Sequence, residues 1–187
     1  MRAATKTNVI YNTKEDTDKP SQYKKDLANF VFNKKSFKNY NLGMLKNYLQ
    51  KINSLLLTEE FNWMYESEKT EEVSNLKTKT LYIPDYNKIT YKPGKFADEP
   101  KSEKQLTELF EDYKYKYEFI SVENLDKKIL NNEEVYYLQY VRINNEKFFN
   151  IVNGKTGDVV YRDYEAGMGT YNIDHKDFKN LAKAIDK

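Results

Sequence analysis

The sequence has no cysteine, one histidine (His175), one tryptophan (Trp63), four prolines and six glycines among its 187 residues. Without cysteine there can be no disulfide, no thiol nucleophile and no thiolate metal site. With His175 as the only imidazole, the common zinc constellations fall away and a Ser-His-Asp arrangement has no other base. No glycine-flanked serine of the GxSxG type accompanies it. No apolar run approaches the ~20 residues of a membrane span, and the amino terminus lacks the apolar block of a secretory signal. As given, the chain reads as soluble. An excess of one charge is missing too: 31 Lys and Arg against 29 Asp and Glu leave +2. A nucleic-acid partner is therefore not expected.

What the chain has is aromatic bulk. A charged fraction of 32% and a mean hydropathy of −0.90 would suit a disordered chain, but 17 tyrosines and 10 phenylalanines supply the apolar area for a core. The densest information lies at 133–163. Val135, Tyr137, Gln139, Val141 and Ile143 alternate with Tyr136, Leu138, Tyr140 and Arg142, so this strand carries bulk on both faces and belongs inside a sheet. Asn144-Asn145 turns it. Phe148, Phe149, Ile151 and Val152 form a second strand, and a loop from Asn153-Gly154, with Gly157 supplying positive φ, leads to a third at Asp158–Arg162. The pattern is a β-meander.

Upstream, residues 1–20 read as a flexible lead, with the composition of a spacer from which an export signal or lipid anchor has been removed. A tether of that kind to a membrane is one expectation. Tyr23, Leu27, Phe30 and Val31 share a helical face, and Leu42, Leu45, Leu49, Ile52 and Leu56 form a longer stripe, so two helices are expected. Phe61, Trp63 and Tyr65 have strand periodicity, 66–77 reads as a connection, and 80–83 and 88–91 read as strands around the turn at Pro84–Asn87. Residues 21–92 thus form a helical hairpin with antiparallel strands, and Lys92–Lys101 is a linker. Ser102 with Gln105 has the form of a capping box before Leu106, Leu109, Phe110, Tyr113 and Tyr117 at helical spacing. Phe119, Ile120 and Val122 extend that helix or open a strand. The polar run Asp126-Lys127-Lys128 leads to the meander, which closes a unit at 102–163. Residues 164–187 are a linker and a last helix capped by Asp174, bearing Phe178, Leu181, Ala182 and Ile185. Helix followed by three strands occurs twice, over 41–91 and 102–162, which suggests a structural repeat.

The second half resembles PepSY-type domains, small cystatin-like modules of bacterial cell-envelope proteins and protease propeptides. The likeness rests on Phe149-Asn150-Ile151-Val152-Asn153-Gly154-Lys155-Thr156-Gly157-Asp158-Val159-Val160-Tyr161, the Lys-Thr-Gly hairpin closing a helix-plus-meander. The extra run at 118–124 departs from that family's plan. The resemblance implies an extracytoplasmic location and protein binding, often inhibitory, with no catalytic residues to carry over.

Chemistry-bearing patterns are otherwise thin. Gly154-Lys155-Thr156 matches the tail of a phosphate-binding loop, but the first glycine of that motif falls on Phe149, so it reads as a turn. Asp174 with Asp177 and Asp98 with Glu99 are carboxylate pairs open to calcium, without EF-hand spacing. Glu71-Glu72 and Glu133-Glu134 sit where solvated turn charge outweighs acid-base work. Glu165–Thr170 reads as a hinge. No cofactor and no metal are expected. The sequence reading is an α+β fold with helices on one face of a curved antiparallel sheet, and a non-enzymatic module that binds and inhibits or regulates another protein. Tyr136, Tyr140, Phe148 and Tyr161 are the expected contacts. An immunity protein that neutralises a secreted toxin, and a structural part of a secretion or conjugation machine, are the alternatives.

Overall fold

The computed structural model describes residues 5–11, 26–33, 42–58, 67–92, 97–143, 146–167 and 172–187. Two strands, β1 (Thr5–Tyr11) and β2 (Asp26–Asn33), pair antiparallel. Helix α1 (Leu42–Thr58) follows. The main sheet is then built from β3 (Glu68–Lys69), β4 (Leu81–Pro84), β7 (Tyr117–Ile120), β8 (Tyr136–Ile143), β9 (Glu146–Asn153) and β10 (Val159–Ala166). Strands β5 (Ile89–Lys92) and β6 (Ala97–Pro100) form a separate antiparallel pair. Helices α2 (Glu103–Leu109), α3 (Val122–Leu130) and α4 (His175–Asp186), with 3-10 helices at Glu71–Lys77 and Asp85–Lys88, complete the described elements.

The class is α+β, and the sheet runs β3-β10-β9-β8-β4-β7. The meander forms as expected, with β8 antiparallel to β9 and β9 to β10. The sheet as a whole is mixed, because β4 lies parallel to both β8 and β7. Parallel neighbours need crossover connections, and α2 and α3 lie within them. The chain moves outward from β4 to β7 through α2, then back past β4 to β8 through α3. Crossovers of one hand that reverse direction put their helices on opposite faces.

The helices accordingly cover both faces, not one. Tyr136 and Leu138 of β8, Phe149 and Ile151 of β9, Tyr161, Leu81 and Ile83 share a buried cluster with Leu109 and Phe110 at the end of α2 and with Phe178, Leu181 and Ile185 of α4. Tyr137 and Val152, one position along, face the other way into a second cluster with Met44 of α1 and Leu125 and Ile129 of α3. Bulk on both sides of β8 is therefore consumed by two layers of helix. Each fully buried side chain of this size contributes about 1.5–3 kcal/mol.

The N-terminal reading is revised. Residues 26–33 are strand and not helix, and part of the 1–20 lead is strand as well, because each finds its hydrogen-bond partner in the other. The strand at 61–65 lies outside the described residues. The 66–77 connection contains a 3-10 helix that buries Val73 and Leu76. The first half of the supposed repeat is no meander, since β4 joins the main sheet and β5 turns away to pair with β6 inside the expected linker. The capping box at Ser102 is present, with Gln105 N–H donating to Oγ at 3.3 Å and Ser102 N–H to Gln105 Oε1 at 2.8 Å. Its helix stops at Leu109, short of Tyr117, because Phe110 stacks on Tyr117 (centroids 4.0 Å apart) and packs at 4.4 Å on Phe178. Aromatic packing around Phe178 overrides helical periodicity there.

Candidate functional site

The four aromatic residues expected to face a partner are mostly inside the fold. Tyr136, Phe148 and Tyr161 are buried, and Tyr140 is half-buried against the first core cluster. Tyr161 packs edge-on against Phe149 at 6.3 Å, and Phe148 lies 5.2 Å from Tyr164. The Tyr136 hydroxyl donates to Glu72 Oε1 at 2.8 Å and accepts from Asn75 Nδ2 at 2.8 Å, while Asn153 Nδ2 donates to the same Glu72 oxygen at 2.5 Å. Burial pushes Tyr136 up to about 12. The structure thus brings Tyr136 and Tyr161 together in one core cluster, with Tyr140 against it, but not as an open face, because helices occupy both sides of the meander.

Among the described residues the largest fully buried side chain is Arg162 of β10. Its Nε donates to Asn150 Oδ1 at 2.8 Å and its guanidinium lies 3.7 Å from Glu68, with Asn150 Nδ2 3.3 Å from Gln139 Oε1. Burial pulls Arg162 down to about 10, against the opposing pull of Glu68. A buried charge with these partners holds strands β8, β9, β10 and β3 in register across one face.

A second buried charge lies on the other face. Lys147 stands opposite Glu165 in the β9–β10 ladder, and the first turn of α4 closes over it. Its Nζ is 2.6 Å from Asp177 Oδ1, 3.4 Å from Glu165 and 3.9 Å from Asp174. Asp174 and Asp177 form a reciprocal capping box: Asp174 N–H donates to Asp177 Oδ2 at 2.9 Å, and Asp177 N–H to Asp174 Oδ1 at 3.3 Å. Burial pushes Asp177 up to about 6 although Lys147 pulls the other way. The carboxylates around Lys147 outweigh its own burial and hold the ammonium above its ordinary range. Of the two carboxylate pairs suggested for calcium, Asp174 with Asp177 is therefore filled by the protein's own lysine.

Other chemistry-bearing residues also have internal partners. His175 Nε2 lies 2.7 Å from Asp112, which also accepts from Lys179 at 2.9 Å. Lys179, then His175, hold the Asp112 carboxyl below the usual carboxylate range. Glu133 pairs with Lys128 and Glu134 with Lys79. Asn153 Oδ1 accepts from Lys155 N–H at 2.9 Å, and Gly157 adopts φ 82°, so Gly154-Lys155-Thr156 is a structural turn. Among the described residues no group of three or more His, Asp and Glu is placed to hold a metal ion, and no helix is long and apolar enough to cross a membrane.

Exposed apolar surface lies on α1, at Leu42 and Leu49 of the stripe read in the sequence and at Leu57 outside it. Helix α1 buries Met44, Ile52 and Leu55. Leu42, Leu49 and Leu57 are 62%, 52% and 77% exposed. Leu42 and Leu49 are two turns apart, and Leu57 continues the same side. Helix α1 contains no acidic residue. Its leucines encircle the helix, so the stripe read in the sequence could face either way; Met44 and Leu55, which that stripe omits, mark the buried side. No family model matches the chain, and neither a curated protein nor a solved structure matches it.

Proposed function

We propose that this protein is a non-enzymatic module that binds another protein and inhibits or regulates it, with the exposed leucines of α1 as the contact. The single observation that carries the reading is the row Leu42, Leu49 and Leu57, each more than half exposed on a helix otherwise anchored by its opposite side. Apolar side chains clustered on a rigid element are what interface anchors are made of. The packing of the α2 end on the meander accords with the resemblance to PepSY-type domains, and with it the proposal takes in an extracytoplasmic setting and a secreted or surface enzyme as partner.

The test is affinity capture from the surface and secreted fractions of the producing cell, with wild-type protein and a Leu42→Glu, Leu49→Glu, Leu57→Glu variant as baits. The expected result is a partner retained by the wild type and lost by a variant whose thermal midpoint is unchanged. A variant that captures the same partner equally well overturns the contact. A captured toxin in place of an enzyme turns the reading to immunity.

A further inference from the structure

We infer that Lys147 and Asp177 are joined by an intramolecular isopeptide bond, which ties β9 covalently to the first turn of α4. The side chains are 4% and 2% exposed, with Nζ 2.6 Å from Oδ1, and the carboxyl carbon is one covalent bond further on. Amine and acyl carbon therefore lie within about 4 Å, so a small approach along the existing contact reaches a near-attack pair. Such a site disfavours separated charges. A single proton shift along the hydrogen bond converts ammonium and carboxylate into amine and carboxylic acid, the forms that condense to an amide. The upward push that burial gives Asp177, to about 6, favours this shift. The carboxylates around Lys147 hold its ammonium and oppose the shift, so the neutral amine–acid pair is the minor, reactive form of the site.

The other groups fit the remaining steps. Oδ2 of Asp177 accepts the backbone N–H of Asp174 at 2.9 Å, at the amino end of the 12-residue α4. Charge that develops on Oδ2 during attack meets a fixed donor and a helix N-terminus, and the amide carbonyl keeps that hydrogen bond afterwards. Glu165, 3.4 Å from Nζ, is a base distinct from the electrophile. The lone pair of Nζ forms the N–C bond. Glu165 takes a proton from the nitrogen and passes it to the Oδ1 hydroxyl, whose C–O bond breaks. One water leaves, nothing is oxidised or reduced, and Glu165 returns as carboxylate. Its side chain is 47% exposed, which gives the water a way out. A simple buried ion pair needs one carboxylate, whereas this lysine faces three: Asp177 and Asp174 from α4 and Glu165 from β10.

The experiment is the intact mass of the full chain under denaturing conditions, followed by proteolysis and tandem mass spectrometry. The expected mass is one water below that of the sequence, with a branched peptide joining the segments that bear Lys147 and Asp177. Lys147→Arg and Asp177→Ala should show their full sequence masses. Asp177→Asn should close by loss of ammonia and reach the wild-type product mass. Glu165→Gln should give a mixture of linked and unlinked chains. A wild-type chain at full mass on purification, and still so after prolonged incubation at mildly acidic and neutral pH, overturns the inference. So does a lost water that persists in Lys147→Arg, which would mark cyclisation of an Asp or Asn elsewhere. The masses are read on denatured chains and involve no partner, so the outcome is independent of the leucine contact.

Discussion

The carboxylate of Asp126, in α3, accepts the backbone N–H of Gly43, near the start of α1, at 2.5 Å. The first turn of α1 has no acidic residue of its own, so α3 supplies the negative charge and acceptor that a helix N-terminus favours. A β-carbon on Gly43 would stand 2.8 Å from Ile129 Cβ and 2.9 Å from the Asp126 carbonyl oxygen, so the approach of the two helices depends on that glycine. Asp126→Ala is expected to cost about 0.5–2 kcal/mol and Gly43→Ala about 1–3 kcal/mol. Urea denaturation of the two variants and of their combination checks this. The double variant should cost less than the sum, because both changes break one junction.

Gly157 joins the meander to the same helix. Its φ of 82° strains any side chain, and an added Cβ would lie 2.5 Å from the Asn47 backbone oxygen of α1. Gly157→Ala is therefore expected to destabilise by more than about 1 kcal/mol. Gly167, also at positive φ but with nothing within 4 Å, isolates the conformational cost. Comparison of the thermal midpoints of the two alanine variants separates strain from collision, with the Gly157 variant the lower.

Phe178 is the centre of the aromatic cluster that docks α4, with Phe110 at 4.4 Å, Phe149 at 5.3 Å and Tyr113 at 5.8 Å. Phe178→Ala should cost about 3–5 kcal/mol. Hydrogen exchange should show protection lost first in α4 and residues 110–119. A loss spread evenly over the sheet would contradict this role.

Two exposed clasps hold α4 at its ends: Asp112 with Lys179 and His175, and Asp186 with Tyr115 and Lys114. Lys179 and then His175 depress Asp112, and Tyr115 and then Lys114 depress Asp186. A carboxyl with a depressed folded pKa contributes stability above its unfolded value, about 4, and loses it as pH falls through the folded value. The α4 amides should exchange faster in acid, after correction for intrinsic rates, and Asp112→Asn with Asp186→Asn should flatten that dependence. The effect is small, since exposed pairs contribute little. An unchanged pH profile in the double variant would rule the clasps out as its source.

Features that depend on near neighbours in sequence were readable beforehand. The capping box at Ser102, the Asp174 cap, the three strands of the meander and the turn at Gly157 each follow from residues a few positions apart. Helix α3 was missed because Asp126-Lys127-Lys128 masks a Val122, Leu125, Ile129 face, although Ser121 caps it through Asn124 N–H. The parallel seat of β4 was invisible, since Leu81-Tyr82-Ile83 reads alike in any sheet and its partner Tyr136 lies far along the chain. The aromatic residues of β8 and β9 were rightly seen as bulk on two faces. That two layers of helix would consume both faces depended on the direction of the crossovers, which no local pattern encodes.

The position of β4 also governs the order in which the molecule can be made. Leu81–Pro84 is translated well before β7 and β8, the two strands that flank it. A growing chain that stops short of Tyr136 holds a strand with one neighbour and no sheet to enter, and distant pairings of this kind slow acquisition of the native state. Segments cut anywhere between β4 and β8 should therefore stay unstructured while tethered to the ribosome, and the chain should resist protease only once β9 has cleared the exit tunnel.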